Sequence, residues 1–222
     1  MKYKYVIFDC DGVLVDSEYL ACKTLSDMLS IYGPVISPEH IMSEYVGMKD
    51  VQVINILNEE YNLKLPENFI LHYEKTLDAK LALNLDAIPG IDTILKNIKI
   101  PIALVSNSNY SRIITSVTSA KLIQHFDSEK IFGADRAGFA KPDPRIYLYA
   151  LEKLGIHPEQ AIVIEDSPTG VSASCGAGIE TIGFLAASHS SQQESLLIKN
   201  GARHIAYNCQ DLTAILKTKN LV

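Results

Sequence analysis

The sequence lacks the features that mark several other classes of protein. It has no long run of lysine and arginine, and its formal net charge is −6 at pH 7, so we expect no nucleic-acid partner. Its apolar runs are far shorter than the roughly 20 residues of a membrane span, and the first of them does not have the form of a signal peptide. We therefore expect a soluble, cytoplasmic protein with no membrane partner.

Cysteine and histidine give no sign of a metal site. The four cysteines form no CxxC pair or other ligand spacing, and the six histidines are scattered in the same way. We expect reduced thiols, and in particular a buried thiol at Cys10, because free cysteine is most often buried. No metal ligand is assigned to either residue type.

The pattern of apolar residues predicts an α/β fold. Apolar runs without alternation, such as residues 100–105 and 161–164, are typical of strands that are covered on both faces. Segments with helical spacing lie between them, for example residues 145–154, which end at the favourable C-cap Gly155. This alternation predicts a doubly wound, Rossmann-like parallel sheet. Its strands are expected at residues 3–8, 100–105, 130–133, 161–164, 181–185 and 204–207.

A helical stretch interrupts this alternation after the first strand. Residues 18–31, 51–61 and 67–81 have helical spacing, and few β-branched runs occur around them. The character of the sequence changes again after Pro89-Gly90. We therefore predict two domains, a core of residues 1–16 and 88–222 and an all-α unit of residues 17–87 that is inserted into it.

Polar side chains gather at four places in the predicted core. Ligands of such sheets bind beyond the carboxyl ends of the strands, so these side chains should converge on one crevice. Each group alone is common at ordinary turns and helix starts, but their shared placement favours a functional site. The four groups are Asp9-Cys10-Asp11, Ser106-Asn107-Ser108, Lys141 and Glu165-Asp166.

These groups fit the transfer of a phosphoryl group. Carboxylates that lie close together repel one another, so we expect a divalent cation among them, and hard oxygen ligands beside a phosphate favour Mg²⁺. Lys141 would offset the remaining negative charge, and the Ser106 hydroxyl would hold phosphate oxygens. Asp9 can attack phosphorus and form an aspartyl-phosphate. Asp11 can protonate the leaving oxygen and later deprotonate a water molecule.

At these positions the sequence resembles the haloacid dehalogenase superfamily of phosphohydrolases. The run Asp9-Cys10-Asp11-Gly12-Val13 is similar to the first motif of that family. Ser106, Lys141 and Glu165-Asp166 are similar to its second, third and fourth motifs. The resemblance spans essentially the whole chain, and it implies that the helical unit is a cap domain of the four-helix kind.

The resemblance also implies roles for individual residues. Asp9 and Asp166 would bind Mg²⁺ through their side chains and Asp11 through its backbone carbonyl, while Glu165 would bind directly or through water. The phosphate-binding residues that it implies are Ser106, Asn107 and Lys141.

The second aspartate, Asp11, separates the activities known within this superfamily. Haloacid dehalogenases proper and phosphonoacetaldehyde hydrolases do not carry it, so its presence favours phosphate-ester chemistry. β-Phosphoglucomutases do carry it, but they also have a histidine, a lysine and an arginine in the cap where this sequence has Ala21, Val46 and Asp50. Residues 106–108, 141–144 and 184–187 are instead similar to bacterial sugar-phosphate phosphatases of the 6-phosphogluconate type.

We therefore predict a Mg²⁺-dependent phosphatase that acts on a small phosphorylated metabolite, with sugar phosphates as the favoured class. A mutase of the phosphoglucomutase type and a non-catalytic binding protein are the alternatives. The candidate substrate contacts in the cap are Tyr45, Lys49 and Lys75. The sequence leaves the oligomeric state open, with a monomer as the expectation.

Overall fold

A computed structural model describes residues 2–45, 48, 50–187 and 192–222 of the chain. The chain divides into two units, one formed by Met1–Asp16 with Asp86–Val222 and the other by Ser17–Leu85. The sequence placed the second boundary between residues 87 and 88, two residues later. Ala87 belongs to the first unit because it pairs with Val15 in an isolated antiparallel bridge, and the amide of Ile88 donates to the carbonyl of Leu14 at 2.9 Å.

The larger unit is built on a parallel sheet of six strands in the order β3-β2-β1-β4-β5-β6. Each strand has three to five residues, most of them apolar. The predicted fold class is confirmed, since the strands are parallel and alternate with helices along the chain. The strands are β1 Tyr5–Phe8, β2 Ile102–Ser106, β3 Ile131–Gly133, β4 Ala161–Glu165, β5 Glu180–Phe184 and β6 His204–Ala206.

The central strands are buried on both faces, as their continuous apolar runs predict. Ile7 pairs with Ala103 on one side and Val163 on the other, so these three side chains share one face of the sheet. Val6 and Phe8 point to the opposite face, and all five side chains are fully buried. The centre of the sheet is therefore a rigid platform for residues at the strand ends.

Helices are the regular secondary structure of the smaller unit within its described residues, and turns and short irregular segments connect them. Its helices are α1 Ser17–Leu29, α2 Pro38–Glu44, α3 Asp50–Glu60 and α4 Phe69–Asn84. Pro38 occupies the first turn of α2, where a missing amide proton costs nothing, and the Ser37 hydroxyl caps that turn by accepting from His40. Buried leucines such as Leu25, Leu29 and Leu57 form the interior of the unit.

The helices of the larger unit cover the sheet. They are α5 Ile91–Asn97, α6 Tyr110–Ser119, α7 Ala134–Ala137, α8 Arg145–Leu154, α9 Pro168–Gly176, α10 Gln193–Lys199 and α11 Cys209–Thr218. On the Ile7 face of the sheet the core includes Ile146 and Tyr147 of α8 and Ala173 of α9. Within the described part of the chain, none of the helices is both long and apolar enough to cross a bilayer.

The strand order contains one topological switch point, where successive strands are added first on one side of β1 and then on the other. From β1 the chain adds β2 and β3 on one side, and it then returns to place β4 on the other side of β1. The carboxyl ends of β1 and β4 are therefore neighbours at a topological switch point, where ligands bind in sheets of this type. Asp9 follows β1 and Glu165 ends β4, so both residues lie at this point.

At the opposite end of the strands, a single carboxylate ties three segments together. Glu180, the first residue of β5, accepts hydrogen bonds from Tyr3 Oη at 2.5 Å and Lys219 Nζ at 2.5 Å, and it pairs with Lys2 at 3.3 Å and His204 at 3.6 Å. Burial opposes its ionisation, but the hydrogen bonds prevail and lower the pKa of Glu180 from 4.5 to about 2. The ionised form therefore stabilises the fold.

This network predicts a pH-dependent loss of stability in the variant Glu180→Gln. Because the pKa is lower in the folded state, the contribution of Glu180 is complete above pH 4.5 and is lost as the pH falls towards 2. We expect the variant to lose about 1–2 kcal/mol of unfolding free energy at pH 7 and progressively less below pH 4.5. Urea denaturation at pH 7 and pH 3 measures this difference. Glu152→Gln, at an exposed position of α8, is the control and should change stability little at either pH.

Candidate active site

A buried ammonium group lies at the centre of the predicted site. Lys141 Nζ donates to Asp9 Oδ1 and to Glu165 Oε1, and its side chain is 3% exposed. Lys141 comes from the loop between α7 and α8, whereas its two partners come from the ends of neighbouring strands. One cation therefore joins three segments that are distant in the sequence.

Burial and charge act on these groups in opposite directions. Burial raises the pKa of Asp9 to about 8, against the lowering effect of Lys141, and the nearby carboxylates of Glu165 and Asp11 raise it further. Burial also works against the charge of Lys141, but Asp9 and Glu165 outweigh it and hold the pKa of Lys141 well above its usual value. Lys141 therefore keeps its proton, whereas the ionisation of Asp9 at neutral pH would need more positive charge nearby than one lysine supplies.

The acidic cluster fits a divalent cation. Asp9, Glu165 and Asp166 each offer a ligand atom, and these atoms lie within 4.8 Å of one another. If all are ionised, three carboxylates and the single ammonium of Lys141 leave a net charge of −2. A hard dication such as Mg²⁺ matches both this charge and the oxygen ligands. The elevated pKa of Asp9 means that its ionisation is unfavourable in this environment, and a bound dication would make that ionisation more favourable.

Both carboxylate oxygens of Glu165 accept hydrogen bonds. Besides the bond from Lys141, Oε1 accepts from Tyr147 Oη at 3.3 Å, and Oε2 accepts from the amide and the hydroxyl of Ser167, each at 3.0 Å. The space that this carboxylate fills exists because residue 170 is glycine, since a Cβ there would lie 1.7 Å from Glu165 Oε1. The orientation of Glu165 is thus fixed by its surroundings.

Gly12 leaves space for the carboxylate of Asp166, as Gly170 does for that of Glu165. Its φ of +81° lies in the left-handed region that glycine tolerates, and a Cβ at this position would lie 2.0 Å from Asp166 Oδ2. Gly12 also closes the turn after β1 by donating from its amide to the Val15 carbonyl at 2.8 Å. The turn therefore requires glycine both for its backbone conformation and for the room that the carboxylate needs.

The second aspartate is oriented from the end of β2. Ser108 donates its hydroxyl to Asp11 Oδ2 at 3.3 Å, and the Ser108 amide donates to Ser106 Oγ at 3.0 Å. Ser106 is buried, and its hydroxyl keeps its proton for donation because this contact uses only its oxygen as an acceptor. The structure thus brings Ser106 and Asp11, both predicted from the sequence, to the same strand ends.

The side chain of Asn107, a predicted phosphate ligand, contacts the segment that carries Lys141, and its phosphate-binding role stays a prediction. Its side-chain Oδ1 accepts the amide proton of Lys141 at 2.7 Å, and its Nδ2 donates to the Lys141 carbonyl at 3.3 Å. The side chain therefore contacts the backbone of Lys141 with both of its polar atoms.

Cys10 is buried between the two aspartates of the motif, as expected for an unreactive thiol. Burial raises the pKa of the Cys10 thiol well above its usual value, and the charges of Asp11 and Asp9 raise it further. The thiolate is the nucleophilic form of cysteine, so Cys10 is a packing residue at this site.

Two of the three substrate contacts predicted in the helical unit, Tyr45 and Lys75, lie among the described residues. Tyr45 donates its hydroxyl to Glu60 Oε2 at 2.9 Å, and burial together with this bond raises the pKa of Tyr45 to about 12. Lys75 is exposed on α4. Lys49 and the compared mutase position Val46 lie outside the described residues. The substrate-binding roles of Tyr45, Lys49 and Lys75 stay predictions.

Four residues that shape the site had no individual role predicted from the sequence. Ser108 belongs to the predicted group Ser106-Asn107-Ser108, and its position two residues after the end of β2 brings its hydroxyl to Asp11. Gln193 donates its side-chain amide to the Asp166 carbonyl at 2.9 Å. The two residues are 27 positions apart, and no local sequence pattern predicts this contact. The other two are Tyr147 and Gly170, which look in the sequence like ordinary helix residues.

Comparison with known proteins places this chain in a family. Residues 6–184 match the model of the haloacid dehalogenase-like hydrolases. The chain is 29% identical to the 6-phosphogluconate phosphatase of Escherichia coli (strain K12) over 85% of both proteins. It is 32% identical to the phosphorylated carbohydrates phosphatase of Thermotoga maritima over 89% of this chain and 91% of that protein. A solved structure from Thermotoga maritima, named as a candidate β-phosphoglucomutase, superposes with a TM-score of 0.81 at 30% identity and covers 96% of this chain and 99% of that one.

The chain therefore belongs to the haloacid dehalogenase-like hydrolases. The family resemblance of the sequence motifs is confirmed, and so is the predicted enzyme class, a phosphoric monoester hydrolase.

The close approach of Gly12 to Asp166 predicts a selective defect in Gly12→Ala. Gly138 is a matched control, because its φ of +73° is also left-handed but a Cβ there would meet nothing within 4 Å. We expect either alanine to cost about 1–2 kcal/mol of stability through backbone strain. Only Gly12→Ala should also weaken Mg²⁺ binding, by about 10- to 100-fold, because it displaces a carboxylate of the cluster.

Thermal denaturation and calorimetric titration with Mg²⁺ measure the two effects separately. Equal Mg²⁺ affinity in the two variants would show that the Asp166 carboxylate does not depend on the space that Gly12 leaves.

Proposed function

We propose that this protein is a Mg²⁺-dependent phosphatase that hydrolyses a small phosphorylated sugar through an aspartyl-phosphate formed on Asp9. The observation that carries the proposal is the arrangement of Asp9, Lys141 and Asp166 at the switch point, with Asp11 two residues after the nucleophile. This set contains an attacking oxygen, a fixed positive charge, a cation site and a second carboxylate for proton transfer.

The first half of the reaction would form the covalent intermediate. A carboxylate oxygen of Asp9 attacks phosphorus, and the bond between phosphorus and the ester oxygen breaks. Asp11 gives its proton to that oxygen, so the sugar leaves as a neutral alcohol. Lys141 and Ser106 contact the phosphoryl oxygens and offset the charge that they carry.

The second half would return the enzyme to its starting state. Asp11, now ionised, takes a proton from a water molecule, and the water oxygen attacks phosphorus of the aspartyl-phosphate. The acyl phosphate bond breaks, inorganic phosphate leaves, and both aspartates regain their initial forms. The Ser108 hydroxyl, which donates to Asp11, would hold this carboxyl group in place for both transfers.

Asp9 and Asp166 would hold the metal ion through their side chains and Asp11 through its backbone carbonyl, while Glu165 would hold it directly or through water. When bound there, Mg²⁺ supplies the positive charge that lets these carboxylates and a phosphate group occupy the same crevice. Lys141 and the glycines at 12 and 170 keep the carboxylates at fixed positions around it.

A phosphorylated sugar is the substrate class that the relatives support. The Escherichia coli relative is named for 6-phosphogluconate and the Thermotoga maritima relative for phosphorylated carbohydrates. A phosphoglucomutase-type activity is the second candidate, because one similar structure is named for it. Ala21 and Asp50, at positions where such mutases have histidine and arginine, weigh against it.

Removal of the nucleophile or of the metal should abolish phosphate release. With sugar phosphates and Mg²⁺, we expect Asp9→Asn to lower kcat/KM by about 10³-fold or more, because the amide cannot form the acyl phosphate. EDTA should stop the wild-type reaction, and added Mg²⁺ should restore it. Malachite green detection of phosphate across a panel of sugar phosphates measures this.

Three outcomes of the same panel would count against the proposal. Undiminished turnover by Asp9→Asn would remove the nucleophile from the mechanism. Interconversion of glucose 1- and 6-phosphates without phosphate release would favour the mutase. No reaction with any ester would favour a binding protein.

The acid role of Asp11 predicts a dependence on the leaving group. We expect Asp11→Asn to lower kcat/KM for a sugar phosphate by about 10²- to 10⁴-fold, since an alkoxide leaves poorly without a proton. The loss should be much smaller with p-nitrophenyl phosphate, whose leaving group is stable as an anion. An equal loss on both substrates would contradict general acid catalysis by Asp11. Asp127→Asn, which alters an exposed carboxylate, serves as the control and should affect neither rate.

A further inference from the structure

The amide side chain of Asn107 forms two hydrogen bonds with the backbone of one residue, 34 positions away. Lys141 donates its amide proton to Asn107 Oδ1 at 2.7 Å, and Asn107 Nδ2 donates to the Lys141 carbonyl at 3.3 Å. A side-chain amide has the same donor and acceptor groups as a peptide. Asn107 therefore pairs with Lys141 much as a neighbouring strand would.

The segment around Lys141 has little regular structure of its own to hold it. It lies between α7 and α8 and contains Pro142 and Pro144, which have no amide proton to donate. Its internal backbone contact is the bond from the Asp143 amide to the Ala140 carbonyl at 2.9 Å. Asn107 follows the buried strand β2, so it ties this segment to the rigid part of the sheet.

The position of the Lys141 backbone decides where its ammonium group lies. A lysine side chain has four rotatable carbon–carbon bonds, and ordering it costs conformational entropy. Here Nζ must reach Asp9 and Glu165 at the same time. A shift of about 1 Å in a catalytic group can lower a rate by about 100-fold, so an anchor at the backbone end of Lys141 matters for catalysis.

We propose that Asn107 is a positioning residue that acts on the reaction through Lys141 and not by contacting phosphate. This inference rests on the proposed phosphatase activity for its kinetic consequence, but the contact itself is independent of that activity. The competing role is direct binding of phosphate by the second N–H of Nδ2. The two roles differ in whether the effect of Asn107 depends on the ammonium of Lys141.

Hydrogen exchange of the Lys141 amide tests the contact without any substrate. In Asn107→Ala the acceptor is lost, and we expect the exchange rate of this one amide to rise about 10-fold or more. Asn107→Asp keeps an oxygen at the acceptor position and should retain the protection. Ser108→Ala is the matched control, because Ser108 is the next residue but contacts Asp11. An unchanged Lys141 amide in Asn107→Ala would overturn the proposal.

A double-mutant cycle with Lys141→Met tests the route of the effect. We expect Asn107→Ala alone to lower kcat/KM by about 10- to 100-fold, from the loss of two hydrogen bonds. In the Lys141→Met background it should cause no further loss, because the group that it positions is absent. Ser108→Ala should cause the same loss in both backgrounds. An equal loss from Asn107→Ala in both backgrounds would mean that Asn107 acts on phosphate directly.

The same cycle can be measured on binding if Lys141→Met turns over too slowly. Calorimetry with inorganic phosphate and Mg²⁺ gives the phosphate affinities of the wild type, of Asn107→Ala, of Lys141→Met and of the double variant. Asn107→Ala should weaken phosphate binding in the wild-type background and cause no further loss in the Lys141→Met background. A wild-type protein that hydrolyses no phosphate ester would contradict the proposed function. Amide exchange would then still decide whether Asn107 holds Lys141.

Discussion

The geometry of the site depends on one buried ammonium group between two buried carboxylates. Lys141 holds Asp9 and Glu165 at the carboxyl ends of adjacent strands. Charges removed from water are costly, and the loss of one member of such a pair leaves the other uncompensated. The arrangement is thus a poor source of stability but a strong constraint on position, because the loss of Lys141 would leave two buried carboxylates without a cation.

Glycines provide the second constraint by leaving space beside the carboxylates. Positions 12 and 170 belong to different segments, yet an added Cβ at either would collide with an acidic side chain of the cluster. Glu165 is therefore confined by the backbone on one side and attracted by Lys141 on the other, while Asp166 is confined by the backbone at Gly12. Such confinement fits a site in which oxygen ligands must keep a fixed geometry around a small, hard cation.

The fold was largely predictable because its signals are local. The strand 161–164 and the helix 145–154 were expected within one residue of β4 and α8, since apolar runs, capping glycines and prolines act over short distances. Helices α5, α10 and α11 had no assignment in the sequence. The order of the strands was not predicted either, because it depends on long-range pairing such as that of β1 with β4.

Several residues that meet at the strand ends could be predicted from the sequence, but their contacts could not. Aspartates at a strand end and a lysine directly before a Pro-Asp-Pro turn are recognisable patterns, and the structure brings Asp9, Lys141 and Glu165 together. The bonds from Asn107 to Lys141 and from Gln193 to Asp166 link residues whose separation in sequence carries no periodic signal. Side-chain partners of this kind follow from the assembled fold alone.

The separation of Asp9 from Lys141 by 132 residues also bears on how the protein is made. At typical rates of protein synthesis this distance corresponds to on the order of 10 s between the emergence of the two residues. During that interval the first strand has neither its counter-charge nor its neighbour β4, so a nascent chain carries an incomplete and solvated motif. The candidate site can consequently assemble only after Lys141, Glu165 and Asp166 have all been made, and a chain released before that point would contain Asp9 without the groups that it contacts.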